Sequence, residues 1–324
     1  MEGREQDLAT SGSDERLSRT LAVINGKGGV GKTSVVANVS GQLAAAGYRV
    51  LAADLDLSGN LKLDLGYVAH PDDDDGKGLV DAIWSDGDVP LIRGIRENLD
   101  VIPGGRHLEM LAALGMTPGA QDLPGGGVPQ AFATKLAALA ENYDLVLLDC
   151  APGNPMLQDM ALNATRYILI PTKTDAAGWD GLRMVGPRVK KARRDNPALT
   201  YLGVVLFAHQ TTATRILKET QARLEELGDV VPLFDCFIRH SETAAHDCRS
   251  RGQLARELAR DATLGTRERL TLLRARSDGN VIALPTALSA SADSLAGDYE
   301  QLAREILTRI AAAEAVTAIT VAGR

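Results

Sequence analysis

The glycine-rich stretch at residues 26–33 is the part of the chain whose residue types and spacing could do chemistry. It reads Gly-Lys-Gly-Gly-Val-Gly-Lys-Thr, and its glycines let the backbone turn tightly and aim successive amide N–H groups into one phosphate-holding concavity. Lys32 can reach the β- and γ-phosphates of a nucleotide, and the Thr33 hydroxyl can ligate Mg²⁺. The spacing predicts a nucleotide-binding P-loop; the alternative is a glycine-rich turn without a ligand.

Aspartates follow two later apolar runs. Asp54 and Asp56 come at the end of the run that starts at residue 49, and Asp149 ends the run that starts at residue 143. Carboxylates at the carboxyl ends of strands beside a P-loop face the Mg²⁺ and phosphate region. Asp149 has the position of a Walker B aspartate, whose carboxylate holds a Mg²⁺-bound water.

These residues need strands and helices to bring them together. Apolar, β-prone runs alternate with helix-compatible runs, which predicts an α/β fold with a doubly wound, mostly parallel sheet and helices on both faces. We expect a tail over residues 1–18, one domain over 19–311 and a C-terminal tail over 312–324. The strands are expected over residues 21–24, 49–53, 97–105 (ending in a turn), 143–149, 166–171 and 202–207, and the helices over 34–46, 130–140, 179–194, 213–227, 249–276 and 290–310, with a long loop over 115–129.

Lys27 distinguishes this P-loop from an ordinary one, which needs no lysine after its first glycine. The stretch resembles the deviant Walker A box of the ParA/MinD family of P-loop ATPases, and the resemblance covers residues 20–310. It implies that Lys27 reaches across a dimer to the phosphates held by the partner subunit; the alternative is a solvated loop lysine. The implied ligands are ATP and Mg²⁺, and the implied nucleotide-binding residues are Gly26, Lys27, Gly28, Gly29, Val30, Gly31, Lys32, Thr33 and Ser34.

The segment that starts at Asp54 resembles the family's second acidic motif. In that motif the second aspartate orients the attacking water, which here implies Asp56. The family commonly has Pro-Gln after this aspartate, whereas this chain has Leu57 and Ser58. The resemblance implies Lys27, Lys32 and Asp56 as catalytic residues, and Thr33, Asp54 and Asp149 as the residues of the Mg²⁺ site.

The function that the resemblance implies is that of a ParA-like ATPase for plasmid or chromosome partition. Such a protein forms an ATP-sandwich homodimer, binds non-specific DNA and hydrolyses ATP slowly unless a ParB-like centromere-binding protein stimulates it. It would be cytoplasmic and nucleoid-associated.

Residues 1–18 are too few for an N-terminal helix-turn-helix domain. Arg239 matches an arginine of the family's DNA-binding surface; the alternative is a buried ion pair with Glu242 or Asp235. Arg215 and Lys218, on the expected helix 213–227, are further candidates for DNA binding.

Charge and composition are compatible with this function. The net charge is −7, yet lysine and arginine outnumber acidic residues between positions 181 and 280, which indicates either a nucleic-acid footprint or solvated helix faces. Three separated cysteines form neither a metal-binding pair nor a disulfide framework, and they suit a reducing cytoplasm. No apolar run approaches the roughly 20 residues of a membrane span, so no membrane is expected.

Two alternative functions stay open. A MinD-like positioning ATPase would bind membranes through a basic amphipathic C-terminal helix. Leu302, Ile306 and Ile310 form an apolar stripe there, but no basic residue follows Arg309 until Arg324. The other alternative is a regulatory or cargo-positioning module that binds ATP without useful hydrolysis.

The run of four aspartates at 72–75 is interpreted as a solvated acidic loop, since it lacks the spaced ligands of an EF-hand Ca²⁺ loop.

Overall fold

Strands and helices alternate along the chain, as the sequence predicts. The computed structural model describes residues 15–85, 87–209, 220–224, 231–275 and 291–322, and of residues 124, 266–275 and 318–322 it describes the backbone only. The strands are β1 (Thr20–Val23), β2 (Val50–Leu55), β3 (Ile92–Arg96), β4 (Leu99–Ile102), β5 (Leu145–Cys150), β6 (Tyr167–Thr172), β7 (Thr200–His209) and β8 (Leu233–Arg239). The helices are α1 (Lys32–Ala45), α2 (Leu61–Leu65), α3 (Lys77–Ser85), α4 (Glu109–Leu114), α5 (Val128–Ala140), α6 (Pro155–Asn163), α7 (Ala176–Ala192), α8 (Glu242–Arg251), α9 (Ala255–Ala275) and α10 (Ala292–Ala322).

All eight of these strands form one sheet in the order β3-β4-β2-β5-β1-β6-β7-β8. Every neighbouring pair is parallel except β3 and β4, which are antiparallel. The central strand β1 is buried on both faces: Leu21 and Val23 contact one core layer, while Ala22 and Ile24 contact the other. Helices α3, α5, α6 and α7 cover one face, and α1, α8, α9 and α10 cover the other. The predicted doubly wound, mostly parallel α/β fold is confirmed.

The structure contains elements that were not predicted, among them helices α2, α3, α4 and α6, and several predicted elements have different bounds. Strands β3 and β8 were not predicted; β3 is an edge strand in which only Ile92 is buried, so its sequence lacks the apolar run of a central strand. Helix α10 continues to Ala322 instead of ending at Ile310, because the alanine-rich end favours helix without needing burial. Leu17, expected in the tail, is buried in the core.

Two segments that were expected to be continuous, one loop and one helix, are divided in the structure. The expected loop 115–129 contains 3₁₀ turns at Pro118–Asp122 and Pro124–Gly126, and α5 begins at Val128. The expected helical region 249–276 is divided at Gly252, whose φ of 62° ends α8. Of the expected helix 213–227, only residues 220–224 lie among the described residues.

Candidate nucleotide site

The glycine-rich loop lies between β1 and α1, at the carboxyl edge of the sheet. Gly29 and Gly31 have φ of 72° and 91°, in the left-handed region that favours glycine. A Cβ atom on Gly31 would lie 2.3 Å from the Phe207 ring, so a side chain is also excluded there by packing. The predicted strand, loop and helix are therefore present, and the loop conformation depends on its glycines.

Asn25 anchors the start of the loop. This side chain is fully buried; its Nδ2 donates to the Pro171 carbonyl at 2.9 Å, and its Oδ1 accepts from the Lys27 N–H at 2.9 Å. The Gly26 N–H donates to the Gly181 carbonyl at 3.2 Å. Sequence reasoning missed Asn25, and its only signal was a polar residue at the end of an apolar strand. The loop is thereby fixed to β6 and α7.

The two lysines of the loop are placed differently. Lys32 is buried, and its Nζ donates to the Lys27 carbonyl at 2.9 Å. Burial lowers the pKa of Lys32, whereas the nearby Asp149 carboxylate raises it. The Lys27 side chain is exposed to solvent. Lys32 can therefore serve a phosphate held by its own loop, and Lys27 is accessible to a second subunit.

The sheet register brings the predicted acidic residues together. Asp149 lies beside Val23 of β1 on one side and beside Asp54 of β2 on the other. The Asp54 carboxylate is fully buried and accepts from the N–H groups of Asp56 at 3.0 Å and Leu61 at 3.1 Å. Asp56 Oδ1 accepts from the Ser58 N–H at 2.9 Å. Asp54 and Asp56 therefore shape the loop that follows β2.

A close backbone contact supports this loop from the neighbouring strand. A Cβ atom on Gly104, which follows β4, would lie only 2.0 Å from the Asp54 carbonyl oxygen. Gly59 packs against Gly104 and Gly105, and Leu57 packs partly buried against the core. The turn after β4, to which the sequence analysis gave no chemistry, thus holds the aspartate loop in place.

Asp149 is the residue that most clearly calls for a ligand. Both of its carboxylate oxygens are buried and have no hydrogen-bond partner in the part of the chain that the structure describes. Burial raises its pKa well above the usual range and the Asp54 carboxylate adds to this, while the Thr33 hydroxyl and Lys32 act in the opposite direction. An orphaned carboxylate beside a hydroxyl suits Mg²⁺, which binds through one or two protein oxygens and phosphate oxygens.

The donor set fits Mg²⁺ only together with a nucleotide. Among the described residues no three His, Cys, Asp or Glu side chains are grouped closely enough to hold a metal ion. Thr33 and Asp149 would bind the ion, which would neutralise phosphate charge when bound. Asp54 already accepts two amide hydrogen bonds and would act from behind Asp149.

Mg²⁺ binding is expected to release protons. Burial raises the pKa of Asp54 to about 7 and raises that of Asp149 well above its usual range, and a bound cation would favour the charged form of both carboxyls. The affinity for Mg²⁺ in the presence of ADP should therefore fall as the pH is lowered, by up to about tenfold per pH unit for each proton released. Calorimetry in buffers of different ionisation enthalpy measures the release, with Mg²⁺ titrated into ADP alone as the blank. An affinity that is constant from pH 6 to 8 would contradict this.

The aspartate run at 72–75 lies in a loop, as interpreted, but only Asp72 is exposed, because the other three carboxylates make structural contacts. Asp73 and Asp75 bind the Lys62 ammonium at 3.0 and 2.5 Å, and the Asp73 side chain is only 5% exposed. Asp74 accepts from the N–H groups of Gly76 and Gly78, at the start of α3. These contacts link Lys62 of α2 to the segment that leads into α3.

Arg239 forms an ion pair, but with neither of the expected partners. Its Nε and an Nη atom lie 2.6 and 2.7 Å from the two carboxylate oxygens of Asp298, which is buried in α10. The Arg239 side chain remains 37% exposed. Arg215 and Lys218 lie outside the described residues.

Comparisons with known proteins agree with this site. The chain matches the AAA domain family over residues 18–201. An uncharacterized protein of Mycobacterium tuberculosis is 33% identical over 225 residues, covering 68% of this chain and 67% of that protein. The chromosome-partitioning ATPase Soj of Thermus thermophilus is 31% identical over 210 residues, covering 64% of this chain and 75% of Soj. The structure of the septum site-determining protein MinD of Pyrococcus horikoshii, complexed with Mg-ADP, superposes with a TM-score of 0.60 at 21% identity, covering 89% and 95% of the two chains.

Proposed function

Because the chain belongs to the ParA/MinD family of positioning ATPases with a P-loop, we propose that the cargo it positions is DNA. It would bind Mg-ATP as a sandwich dimer, grip non-specific DNA in that state, and release the DNA when a ParB-like partner stimulates hydrolysis. The observation that carries the ATPase part is the meeting of Lys32 and the orphaned Asp149 carboxylate at adjoining strand ends. The partition role given in the name of the Soj relative supports DNA as the cargo.

The positions of the site residues support a role for each of them in this proposal. The loop amides and the Lys32 ammonium would stabilise the negative charge that develops on the transferred phosphoryl group. Asp56 is 7% exposed, and its Oδ1 accepts from the Ser58 N–H, so its Oδ2 can accept from a water and align it for attack. The exposed Lys27 would reach the nucleotide of the partner subunit.

The C-terminal helix favours DNA over a membrane as the surface that is bound. The apolar stripe of Leu302, Ile306 and Ile310 on α10 is buried in the core, so this stripe is not available for lipid. Beyond it, Val316 is exposed at 65% among alanines, without a basic residue among the described side chains. In the part of the chain that the structure describes, no helix is long and apolar enough to cross a membrane.

Binding of a non-specific DNA duplex tests this function. We expect binding with Mg-ATP but not with ADP or without nucleotide, and we expect the affinity to fall steeply with salt as phosphate counterions are released. Lys27→Ala should lose the binding because neither nucleotide of the dimer would then receive a lysine from the partner subunit. Failure of the wild-type protein to bind DNA in any nucleotide state would refute DNA as the cargo.

The Arg239–Asp298 pair allows the role of Arg239 to be tested separately. Replacing Arg239 alone would leave the buried Asp298 carboxylate with the backbone N–H of residue 239 but without a charged partner, which destabilises the fold. Asp298→Asn keeps the arginine, and the double variant Arg239→Gln/Asp298→Asn removes both charges. If Arg239 contacts phosphate, Asp298→Asn should bind DNA at least as well as the wild type, and the double variant about tenfold more weakly. Equal binding by these two variants would assign Arg239 a structural role only.

A further inference from the structure

A buried carboxylate outside the nucleotide site links the P-loop helix to α8. Asp64 of α2 is 8% exposed; its Oδ2 accepts from the Ser34 hydroxyl at 3.0 Å, and its Oδ1 lies 3.4 Å from Nε of Arg249 on α8. We refer to these three residues as the Asp64 bridge. Ser34 directly follows Thr33, so the bridge ends one residue away from the expected Mg²⁺ ligand. Ser34 is one of the nucleotide-binding residues that the resemblance implies, and its hydroxyl donates to Asp64.

The backbone joins α2 and α8 at a second point. Gly66 ends α2 and Gly252 ends α8, with φ of 73° and 62°. A Cβ atom on Gly66 would lie 2.7 Å from the Gly252 carbonyl oxygen, and one on Gly252 would lie 2.4 Å from the Gly66 Cα. Arg96 donates to the carbonyls of Leu65 at 2.8 Å and Gly252 at 3.1 Å. The ends of the two helices are therefore in direct contact and tied by one guanidinium.

The other end of α2 begins at the nucleotide site. The Leu61 N–H donates to Asp54, so α2 connects the aspartate loop with α8 through a single turn of helix. Behind it, the Ala255 N–H at the start of α9 donates to Asn38 Oδ1 of α1 at 2.8 Å. Burial raises the pKa of Asp64, while Arg249 and Ser34 lower it, so the carboxylate depends on both partners for its charge.

We propose that Asp64 is a positioning residue of the nucleotide site, which couples the first turn of α1 to α8 so that nucleotide binding orders α8. This rests on the proposed binding of Mg-ATP. Packed interiors transmit small shifts between two discrete arrangements, and the bridge with the glycine contact forms a continuous path of that kind. Because coupling is reciprocal, loosening the bridge at α8 must weaken nucleotide binding at the P-loop.

Steady-state ATP hydrolysis by two arginine variants of α8 tests the first consequence. Arg249→Gln removes the bridge contact, while Arg251→Gln removes the same charge from the same last turn without touching Asp64. We expect Arg249→Gln to raise KM for Mg-ATP about tenfold with kcat within about twofold of the wild type, and Arg251→Gln to change neither. The double variant Asp64→Asn/Arg249→Gln should be no worse than Asp64→Asn alone, because both changes break one path.

Hydrogen exchange measures the reciprocal effect, which a merely stabilising ion pair would not produce. In the wild type, a non-hydrolysable ATP analogue with Mg²⁺ should slow amide exchange in α8, and this protection should be lost in Arg249→Gln and kept in Arg251→Gln. The proposal is overturned if the KM values of the two arginine variants agree within twofold, or if α8 is protected equally in both. A wild type that neither binds nor hydrolyses Mg-ATP would instead refute the proposed function, and the proposal for Asp64 with it.

Discussion

Equal amounts of Lys27→Ala and Asp56→Ala, each inactive alone, are expected to recover about a quarter of the wild-type ATP hydrolysis when they are mixed. Lys27 is exposed, whereas Asp56 lies on the same subunit's strand edge as the P-loop. If Lys27 serves the partner's nucleotide, a mixed dimer contains one complete site, with Asp56 from one subunit and Lys27 from the other. Half of the dimers are mixed, and each has one working site of two, which gives about a quarter.

The matched control for this recovery is a mixture of Lys32→Ala and Asp56→Ala. Lys32 is buried against its own loop, so we expect both it and Asp56 to serve the nucleotide of their own subunit. No dimer of this second mixture contains a complete site, and no activity should return. A Lys27→Ala mixture that stays as inactive as this control would show that Lys27 does not act across the dimer.

Asp149→Asn should reduce ATP hydrolysis by about a thousandfold or more, because among the described residues Asp149 is the acidic side chain whose two oxygens are buried without a partner at the expected Mg²⁺ position. The amide keeps the shape of the side chain, so the packing of β5 is preserved. The variant should also lose the rise in melting temperature that Mg-ADP gives to the wild type, since ligand binding stabilises the folded state by mass action. Enzyme assays and thermal unfolding with and without Mg-ADP measure both effects.

Asp144→Asn is the matched control, because Asp144 directly precedes β5 and Asp149 lies near the other end of that strand. Asp144 forms a partly exposed ion pair with Arg49, and such pairs contribute little to the free energy of unfolding. Hydrolysis by this variant should stay within about twofold of the wild type. If Asp149→Asn retained Mg-ADP stabilisation to the same degree as Asp144→Asn, the Mg²⁺ site would have to lie elsewhere.

The residues that act at strand ends could be predicted because local sequence determines them. In a parallel sheet the carboxyl ends of all strands lie along the same edge, so residues that directly follow an apolar strand come close together. Lys32, Asp54 and Asp149 lie near one another at this edge, as expected. Strand β3 escaped prediction because an edge strand buries one face only. Helix α10 was predicted too short because alanine extends a helix without any apolar periodicity.

Contacts between distant parts of the chain could not be predicted. Arg239 pairs with Asp298, 59 positions away, rather than with an acidic neighbour in sequence. Gly181 also carries no local signal, although a Cβ atom there would lie 2.0 Å from Asn25 Oδ1 and push α7 off the P-loop. The Asp64 bridge joins three helices whose order in space follows only from the folded sheet.

The hydrogen bond from Lys32 to the Lys27 carbonyl fixes the position of the ammonium before a ligand enters the loop. An ammonium has three N–H donors, so Lys32 can keep this acceptor while it donates to a phosphate with the other two. Holding the side chain in one rotamer beforehand lowers the conformational entropy that phosphate binding would otherwise cost, by up to about 2 kcal/mol for a lysine. The loop is therefore preorganised for phosphate, and we expect little rearrangement of Lys32 when one nucleotide is exchanged for another.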